Sequence, residues 1–405
     1  MKILFVADVS IANVIGGAER VLFEQSSGLA QKGHRVHVLT RLLSVHEEDS
    51  KTIGNVKEWR YSDGLRENIL RCIINTHLNC KSLFEFLHEK YDFDIINFHQ
   101  PFSAIGVNLS PLSKNIAKIY TCHSLSFEEF ASRNSNWGGF FKKAANFFHI
   151  QSRKRIERNA LGKSTKIVTL SNFTKRKLYN QYYIPKSKIN VIPGGVDLEK
   201  FKPFDNKKII RQQLKIPQNK IVLLTVRNLV QRMGIENLII AIKTIIKKNR
   251  EIHLVIGGEG HLHDRLTALT RAMGIAENVT FTGFIPEEQL PFYYQMADLF
   301  VLPTMELEGF GLVTLEAMAS GLPVVGTPIG GTREILNNFD SQFLFAGTDP
   351  DAIAKLLSEK YRLIKKNPQL WKEVGNKCRH FVEINYSWEK NLDSLEHLYC
   401  ELLDE

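Results

Sequence analysis

The chain has 405 residues, 43% hydrophobic and 24% charged. That is enough for two or three domains of roughly 100–200 residues each and too rich in apolar side chains for a disordered chain. No apolar run approaches the roughly 18 residues of a membrane span, and MKILFVADVS at the N-terminus reads as a strand, not as a signal peptide.

In chain order, Lys2 to Ala7 reads as an apolar strand, Gly16-Gly17 as a turn, Ala18 to Gln31 as a helix ending at Gly33, and Arg35 to Thr40 as a second strand. Further strands are expected at Asp94 to Phe98, Ala117 to Cys122 and Lys166 to Leu170. A second run begins near Lys220, with strands at Ile221 to Val226, Ile252 to Ile256, Val279 to Thr282, Leu299 to Leu302 and Val324 to Gly326. Helical patterns separate them at Glu236 to Lys248, Leu262 to Met273, Pro286 to Met296 and Leu312 to Ala319. Residues 349–405 read as mostly helical, including Asp351 to Lys366 and Trp388 to Leu403. Short strands alternating with longer amphipathic segments predict parallel sheets covered by helices. The fold class is therefore α/β with two doubly wound, Rossmann-like domains, joined through the Pro- and Lys-rich stretch Ile192 to Pro217.

The net charge of +10 is uneven. Residues 1–200 carry 29 Lys and Arg against 18 Asp and Glu, whereas residues 201–405 carry 24 against 25. Residues 133–177 concentrate twelve basic groups and one acid, Glu157, beside Trp137, Phe140, Phe141, Phe147 and Phe148. Two readings follow. The stretch docks on an anionic membrane surface, where each exposed Lys or Arg adds about 1 kcal/mol, or it is a solvated basic helix whose aromatics face the core. No helix-turn-helix, finger or RNP signature points to nucleic acid. The five cysteines, Cys72, Cys80, Cys122, Cys378 and Cys400, include no C-x-x-C pair, which argues against a disulfide framework or zinc site and for a reducing cytoplasm.

The densest chemistry follows the strand ending at Leu302. Glu308 is succeeded by Gly309-Phe310-Gly311 and then by a helix containing Glu316. The glycines expose successive N–H donors, and the N–H groups of Leu312 and Val313 open the helix, where anions are favoured. Glu308 and Glu316, separated by seven residues, with E-A-M-A-S-G-L-P-V-V around the second, resemble the motif of the retaining glycosyltransferases of the GT-B fold, in particular family 4. Gly16-Gly17-Ala18-Glu19-Arg20, Thr121-Cys122-His123, Val191 to Asp197, Gly283-Phe284, Gly330-Gly331-x-x-Glu334 and Ser387-Trp388-Glu389 resemble the family's other segments in order.

The resemblance implies two domains facing a central cleft. One is an acceptor-side domain over 1–195, onto which a closing helix at 386–405 packs back, and the other a nucleotide-sugar-binding domain over 196–385. It implies that Glu316 takes the ribose hydroxyls and that Glu308 lies beside the donor sugar. The N–H groups of Gly309, Phe310, Gly311 and Leu312 hold the sugar and distal phosphate. His123 stands near the sugar's C6 hydroxyl, Gly16 and Gly17 pass close to the diphosphate and acceptor, and Phe284 lies against the base. The partners are a nucleotide sugar, with UDP-sugars the default, and an acceptor glycan or lipid-linked saccharide. No cofactor is implied, and no metal, since the nearest D-x-D pair, Asp349-Pro350-Asp351, opens a helix elsewhere. The implied location is cytoplasmic, peripheral on the inner face of a membrane if the basic stretch docks there.

The family's G-R-L-x-x-x-K-G segment is replaced here by V-R-N-L-V-Q-R-M-G, so Asn228 and Met233 stand where Arg and Lys are usual. A family branch with V-R-R-L-V-x-R-M-G is closer. Arg232 is then the main phosphate cation and Arg227 a helper, since a guanidinium fork grips phosphate oxygens. The alternative is a catalytically silent homologue that binds nucleotide within a glycan assembly complex. His99, in N-F-H-Q-P, sits at a strand end and receives no role from sequence.

Overall fold

The structure is a computed structural model that describes residues 1–12, 16–42, 48–62, 69–133, 140–247 and 251–404, the side chains of 69–73 and 140–142 excepted. The chain divides into two compact units, Met1–Gly194 with Trp388–Glu405, and Gly195–Ser387. The second unit is closed on itself at its ends: Val196 N donates to the Tyr386 carbonyl at 2.9 Å, and Val196 bridges to Ser387.

The first unit is built on an eight-stranded sheet. Its strands are β1 (Lys2–Val6), β2 (Arg35–Arg41), β3 (Ser50–Ile53), β4 (Val56–Tyr61), β5 (Ile95–Phe98), β6 (Ala117–Cys122), β7 (Lys166–Thr169) and β8 (Ile189–Val191), in the order β3-β4-β2-β1-β5-β6-β7-β8. Every pairing is parallel except the β3–β4 hairpin. The central strand, KILFV, is apolar on both faces, as a covered parallel strand must be. Its side chains alternate. Leu4 and Val6 join Phe84, Leu87, Leu161 and Leu178 in one core layer. Ile3 and Phe5 join Leu22, Leu29, Leu392, Leu395 and Tyr399 in the other.

That second layer is completed by helix Trp388–Asp404, which belongs to the first unit although it follows the second in sequence. Gln25 Nε2 donates to Asn391 Oδ1 at 3.1 Å, and Asn97 Nδ2 donates to the Tyr399 hydroxyl at 2.7 Å. A Cβ on Gly28 would stand 2.3 Å from Leu392 Cδ1, so any larger residue there would have to push the Leu392 side chain aside where helix Gly17–Gln31 packs on helix Trp388–Asp404.

The second unit carries five parallel strands, β9 (Ile221–Val226), β10 (Ile252–Gly257), β11 (Val279–Gly283), β12 (Leu299–Leu302) and β13 (Val324–Gly326). Their order is β11-β10-β9-β12-β13, so the winding direction reverses between β9 and β12. Ligands of doubly wound sheets bind at that reversal, beyond the carboxyl ends of the strands. Every strand read from the sequence is present, with ends shifted by one residue at most; β3, β4 and β8 were not read. The helix expected over Pro286 to Met296 begins only at Leu290, because Pro286 to Gln289 form a turn closed by Gln289 N on the Pro286 carbonyl at 2.9 Å. Among the described residues no helix is long and apolar enough to cross a membrane.

Candidate functional site

The reversal point is lined by the loops after β9, β12 and β13. The loop after β9 turns at Gln231–Met233 and is clipped to the loop after β12, where Met305 N donates to the Arg232 carbonyl at 2.8 Å. Leu307 takes a left-handed φ of 58°, unusual for a branched side chain. Arg232 Nη1 donates to its carbonyl at 3.2 Å, which holds the strained residue. The loop after β13 comes equally close. Gly331 N donates to the Glu308 carbonyl at 2.9 Å, and a Cβ on Gly330 would lie 1.9 Å from that same oxygen. Only glycine permits this approach.

Glu308 is thereby fixed by its own backbone, and its carboxylate meets Arg227 in a salt bridge. Both side chains are almost wholly removed from water, 10% and 8% exposed. Thr304 stands between them, accepting from Arg227 Nη2 at 3.0 Å and donating to Glu308 Oε2 at 3.3 Å. Arg227 Nε has no hydrogen-bond partner among the described residues. Desolvating two charges costs about as much as their attraction returns, so packing alone does not explain the pair.

Gly309, Phe310 and Gly311 lead from Glu308 into helix Leu312–Ala319, whose N-terminus carries no side-chain cap. Glu316, on that helix, is buried and accepts from the Tyr294 hydroxyl at 2.8 Å. The sheet edge thus presents two carboxylates, two guanidinium groups and an uncapped helix start. That set suits a ligand with hydroxyls at its ends and phosphate between them.

Asn228 is exposed and Met233 is buried in the core, so the two unusual residues face different surroundings. Phe284 follows β11 and is 53% exposed. Asp349 spends its carboxylate as a helix cap, accepting from Ala352 N at 2.9 Å.

The remaining candidates belong to the first unit. Gly16 precedes helix Gly17–Gln31 in an extended conformation and gives it no side-chain cap. His123 follows β6, and its Nε2 lies 3.1 Å from Nδ1 of His99, which follows β5. Burial pushes the His123 pKa down to about 4 and holds His99 well below the ordinary imidazole range, with the His123 charge adding to the latter. Sequence reasoning missed Thr304, Tyr294 and the contact between His99 and His123. Tyr294 meets a partner 22 positions away, and no local pattern announces such a contact.

Two family models match the chain, glycosyltransferase family 4 over residues 15–200 and glycosyl transferases group 1 over residues 206–378. An uncharacterized glycosyltransferase of Methanocaldococcus jannaschii is 27% identical over 419 residues, covering 98% of each chain. The GDP-mannose-dependent alpha-(1-6)-phosphatidylinositol monomannoside mannosyltransferase of Mycolicibacterium smegmatis is 30% identical over 235 residues, 56% of this chain and 60% of the relative. Among solved structures, sucrose-phosphate synthase from Thermosynechococcus elongatus matches over 100% of both chains with a TM-score of 0.81 at 22% identity.

Proposed function

Because the chain belongs to the family-4 glycosyltransferases and has their GT-B fold, we propose that it moves a sugar, with retention of configuration, from a nucleoside-diphosphate donor to an acceptor hydroxyl. The reading is carried by one observation, the buried Arg227–Glu308 pair beside the uncapped start of helix Leu312–Ala319 at the sheet's reversal point.

As the bond to the sugar breaks, negative charge grows on the departing diphosphate. Arg232, helped by Arg227 and the N–H groups of Gly309 to Leu312, stabilises that charge, and no metal is required for it. Glu316, anchored by Tyr294, takes the ribose hydroxyls. Glu308 takes hydroxyls of the donor sugar while its other contacts keep it aimed. It is not the nucleophile, since the acceptor attacks from the face that the diphosphate leaves. His123 contacts the sugar's C6 hydroxyl, Gly16 and Gly17 flank the diphosphate and acceptor, and Phe284 lies on the base.

The product is a cell-surface glycan or glycolipid. The name of the mycobacterial relative supports this, giving a GDP-mannose donor and a phosphatidylinositol mannoside acceptor. It also sets GDP beside the UDP expected by frequency as the donor's nucleotide. Helix Phe140–Lys163 supports docking on an anionic membrane from the inner face. Phe147 and Phe148 are 58% and 70% exposed, and Lys143, Arg155, Arg158 and Lys163 are exposed along the same helix. Trp137 and the side chains of Phe140, Phe141 and Lys142 lie outside the described residues.

The test is a mass-spectrometric screen of UDP- and GDP-sugars for slow hydrolysis, followed by single-turnover transfer with the donor found. Release of the nucleoside diphosphate is expected. Tight binding without release would mark instead a silent nucleotide-binding partner. Retention by vesicles containing anionic lipid at low salt, lost in a Phe147→Ala, Phe148→Ala variant, is the expected membrane result. Indifference to both changes would end the docking proposal.

A further inference from the structure

The amino ends of the first unit's strands carry a group of cations that the reaction just described does not use. Parallel register sets Lys2 of β1 beside Arg35 of β2, and His37 of β2 between Leu4 of β1 and Lys57 of β4, so these side chains share one face of the sheet. Helix Ile69–Tyr91 covers that face with Phe84 and Leu87 and ends beside the cations. Lys2, Arg35, His37, Lys90, Tyr91 and Asp92 line a cavity of about 180 Å³. His99 and His123 follow the carboxyl ends of β5 and β6, so the cavity lies at the opposite edge of the sheet.

The state of His37 follows from its partner. The Trp59 indole N–H donates to His37 Nδ1 at 3.1 Å. An indole nitrogen only donates, so Nδ1 accepts and the ring carries its proton on Nε2. Burial and the charges of Lys57 and Lys90 push the His37 pKa down to about 4, which keeps the ring neutral. Tyr91 lies against it with ring centroids 4.2 Å apart. His37 Nε2–H has no acceptor among the described residues and is open to solvent.

The charges around this donor do not balance. Lys2 pairs with Asp92 at 3.0 Å, and the Asp94 carboxylate accepts from Lys2 N at 2.7 Å. Lys90 lies over Tyr91 at 5.3 Å and offsets the negative end of its own helix. Lys57 lies over Trp59 at 4.2 Å. Arg35, Lys57 and Lys90 form no ion pair among the described residues. Four cations thus face two carboxylates. Like charges side by side on adjacent strands are destabilising, so stability alone gives no account of the arrangement.

We propose that this cavity is a phosphate-binding site, in which Arg35 and Lys57 meet the phosphate oxygens and His37 Nε2–H donates to one of them. A phosphate dianion matches the excess of cations, and a guanidinium fork suits its oxygens. The cavity has the space of about six waters. That takes a phosphate group and falls short of the roughly 300 Å³ at which sites for larger ligands begin, so a nucleotide sugar does not fit. The ligand is a phosphate ester, carried by a small soluble molecule or by a lipid headgroup. The site is independent of the transfer reaction.

Inorganic phosphate is titrated into the ligand-free protein, with sodium chloride holding the ionic strength constant. The Trp59 indole N–H signal, identified by Trp59→Phe, and the His37 ring signals are followed by NMR. A saturable shift of both is expected, with affinity about tenfold lower in an Arg35→Gln, Lys57→Gln variant. Arg35 is exposed and Lys57 partly so, and an unchanged melting point checks that the variant folds. No saturable shift, or one that the double substitution leaves unaltered, overturns the proposal. The carrier is then identified with vesicles of phosphatidylcholine and phosphatidic acid, offered to Phe147→Ala, Phe148→Ala protein with and without the double substitution. Retention that falls with the double substitution assigns the site to a lipid headgroup, and equal retention assigns it to a soluble phosphate ester. The titration needs no donor, so a protein that transfers no sugar still passes or fails it.

Discussion

The Tyr294 hydroxyl donates to Glu316 at 2.8 Å, and both residues are buried. Tyr294 comes from helix Leu290–Met296 and Glu316 from helix Leu312–Ala319, so the contact fixes one carboxylate oxygen from outside its own helix. A hydrogen bond to a charged group is worth roughly 1.5–3 kcal/mol. Tyr294→Phe is therefore expected to raise the donor KM about tenfold or more with kcat changed less than about twofold, and Glu316→Ala to raise it further. Steady-state kinetics with the donor found in the screen reads both. An unchanged KM in Tyr294→Phe would mean that the anchor is unnecessary.

The Arg227–Glu308 pair gives opposite results at its two ends. Glu308→Gln releases a cation, so nucleoside diphosphate binding is expected to stay equal or tighten while transfer falls by about a hundredfold or more. Arg227→Ala leaves the Glu308 carboxylate buried and uncompensated, which costs about 3–5 kcal/mol of stability. Arg232→Ala is expected to weaken nucleotide binding about tenfold or more with less loss of stability. Titration calorimetry and thermal unfolding of the three variants separate these roles. Unchanged nucleotide affinity in Arg232→Ala would remove it as the main phosphate cation.

Gly330 makes one of the two tightest approaches in the site, equalled by Gly234 against the Pro303 carbonyl. With φ at 62° and the Glu308 carbonyl 1.9 Å from the position of a Cβ, Gly330→Ala must displace the Glu308 backbone. Loss of most donor binding is expected, together with a lowered melting point. Gly274 has a similar φ of 66° but nothing within 4 Å of the same position. Gly274→Ala should cost only the strain of the conformation, roughly 1–2 kcal/mol, with donor binding intact.

Glu157 supplies a pH prediction. It is fully enclosed, accepts from Tyr182 and from Ser126 N, and burial pushes its pKa up to about 7 from the ordinary 4.5. The folded state keeps this proton where the unfolded chain has lost it, so stability falls as pH rises from about 4.5 to 7 and is constant above that. The whole effect is about 3 kcal/mol. Glu157→Gln, which has no proton to lose, is expected to gain on the wild type by up to that amount at pH 8 and to match it near pH 4.5. Urea unfolding at the two pH values checks it.

The sheets were legible because their strands are short apolar runs such as IVLLTV and LFVL, bounded by glycine, proline or charge. β3 and β8 were not, for physical reasons. SKTI has no buried residue and INV has three positions, so neither carries a hydrophobic signature. In the site, the E-x7-E spacing located Glu308 and Glu316, but not what holds them. Thr304 and Tyr294 act through space on residues four and 22 positions away. The strained Leu307, held by Arg232, belongs to a turn that no residue preference favours. The exposure of Phe147 and Phe148 was likewise beyond the sequence, since helical spacing leaves either face available to the core.

Helix Trp388–Asp404 gives this protein an unusual order of assembly during synthesis. The layer of the first unit formed by Ile3, Phe5, Leu22 and Leu29 lacks Leu392, Leu395 and Tyr399 until the whole of the second unit has left the ribosome. The half that is translated first is thus the last to be sealed. A nascent chain halted at Ser387 would hold a finished second half and a first half with an open greasy groove, and such a chain is a natural client for chaperones.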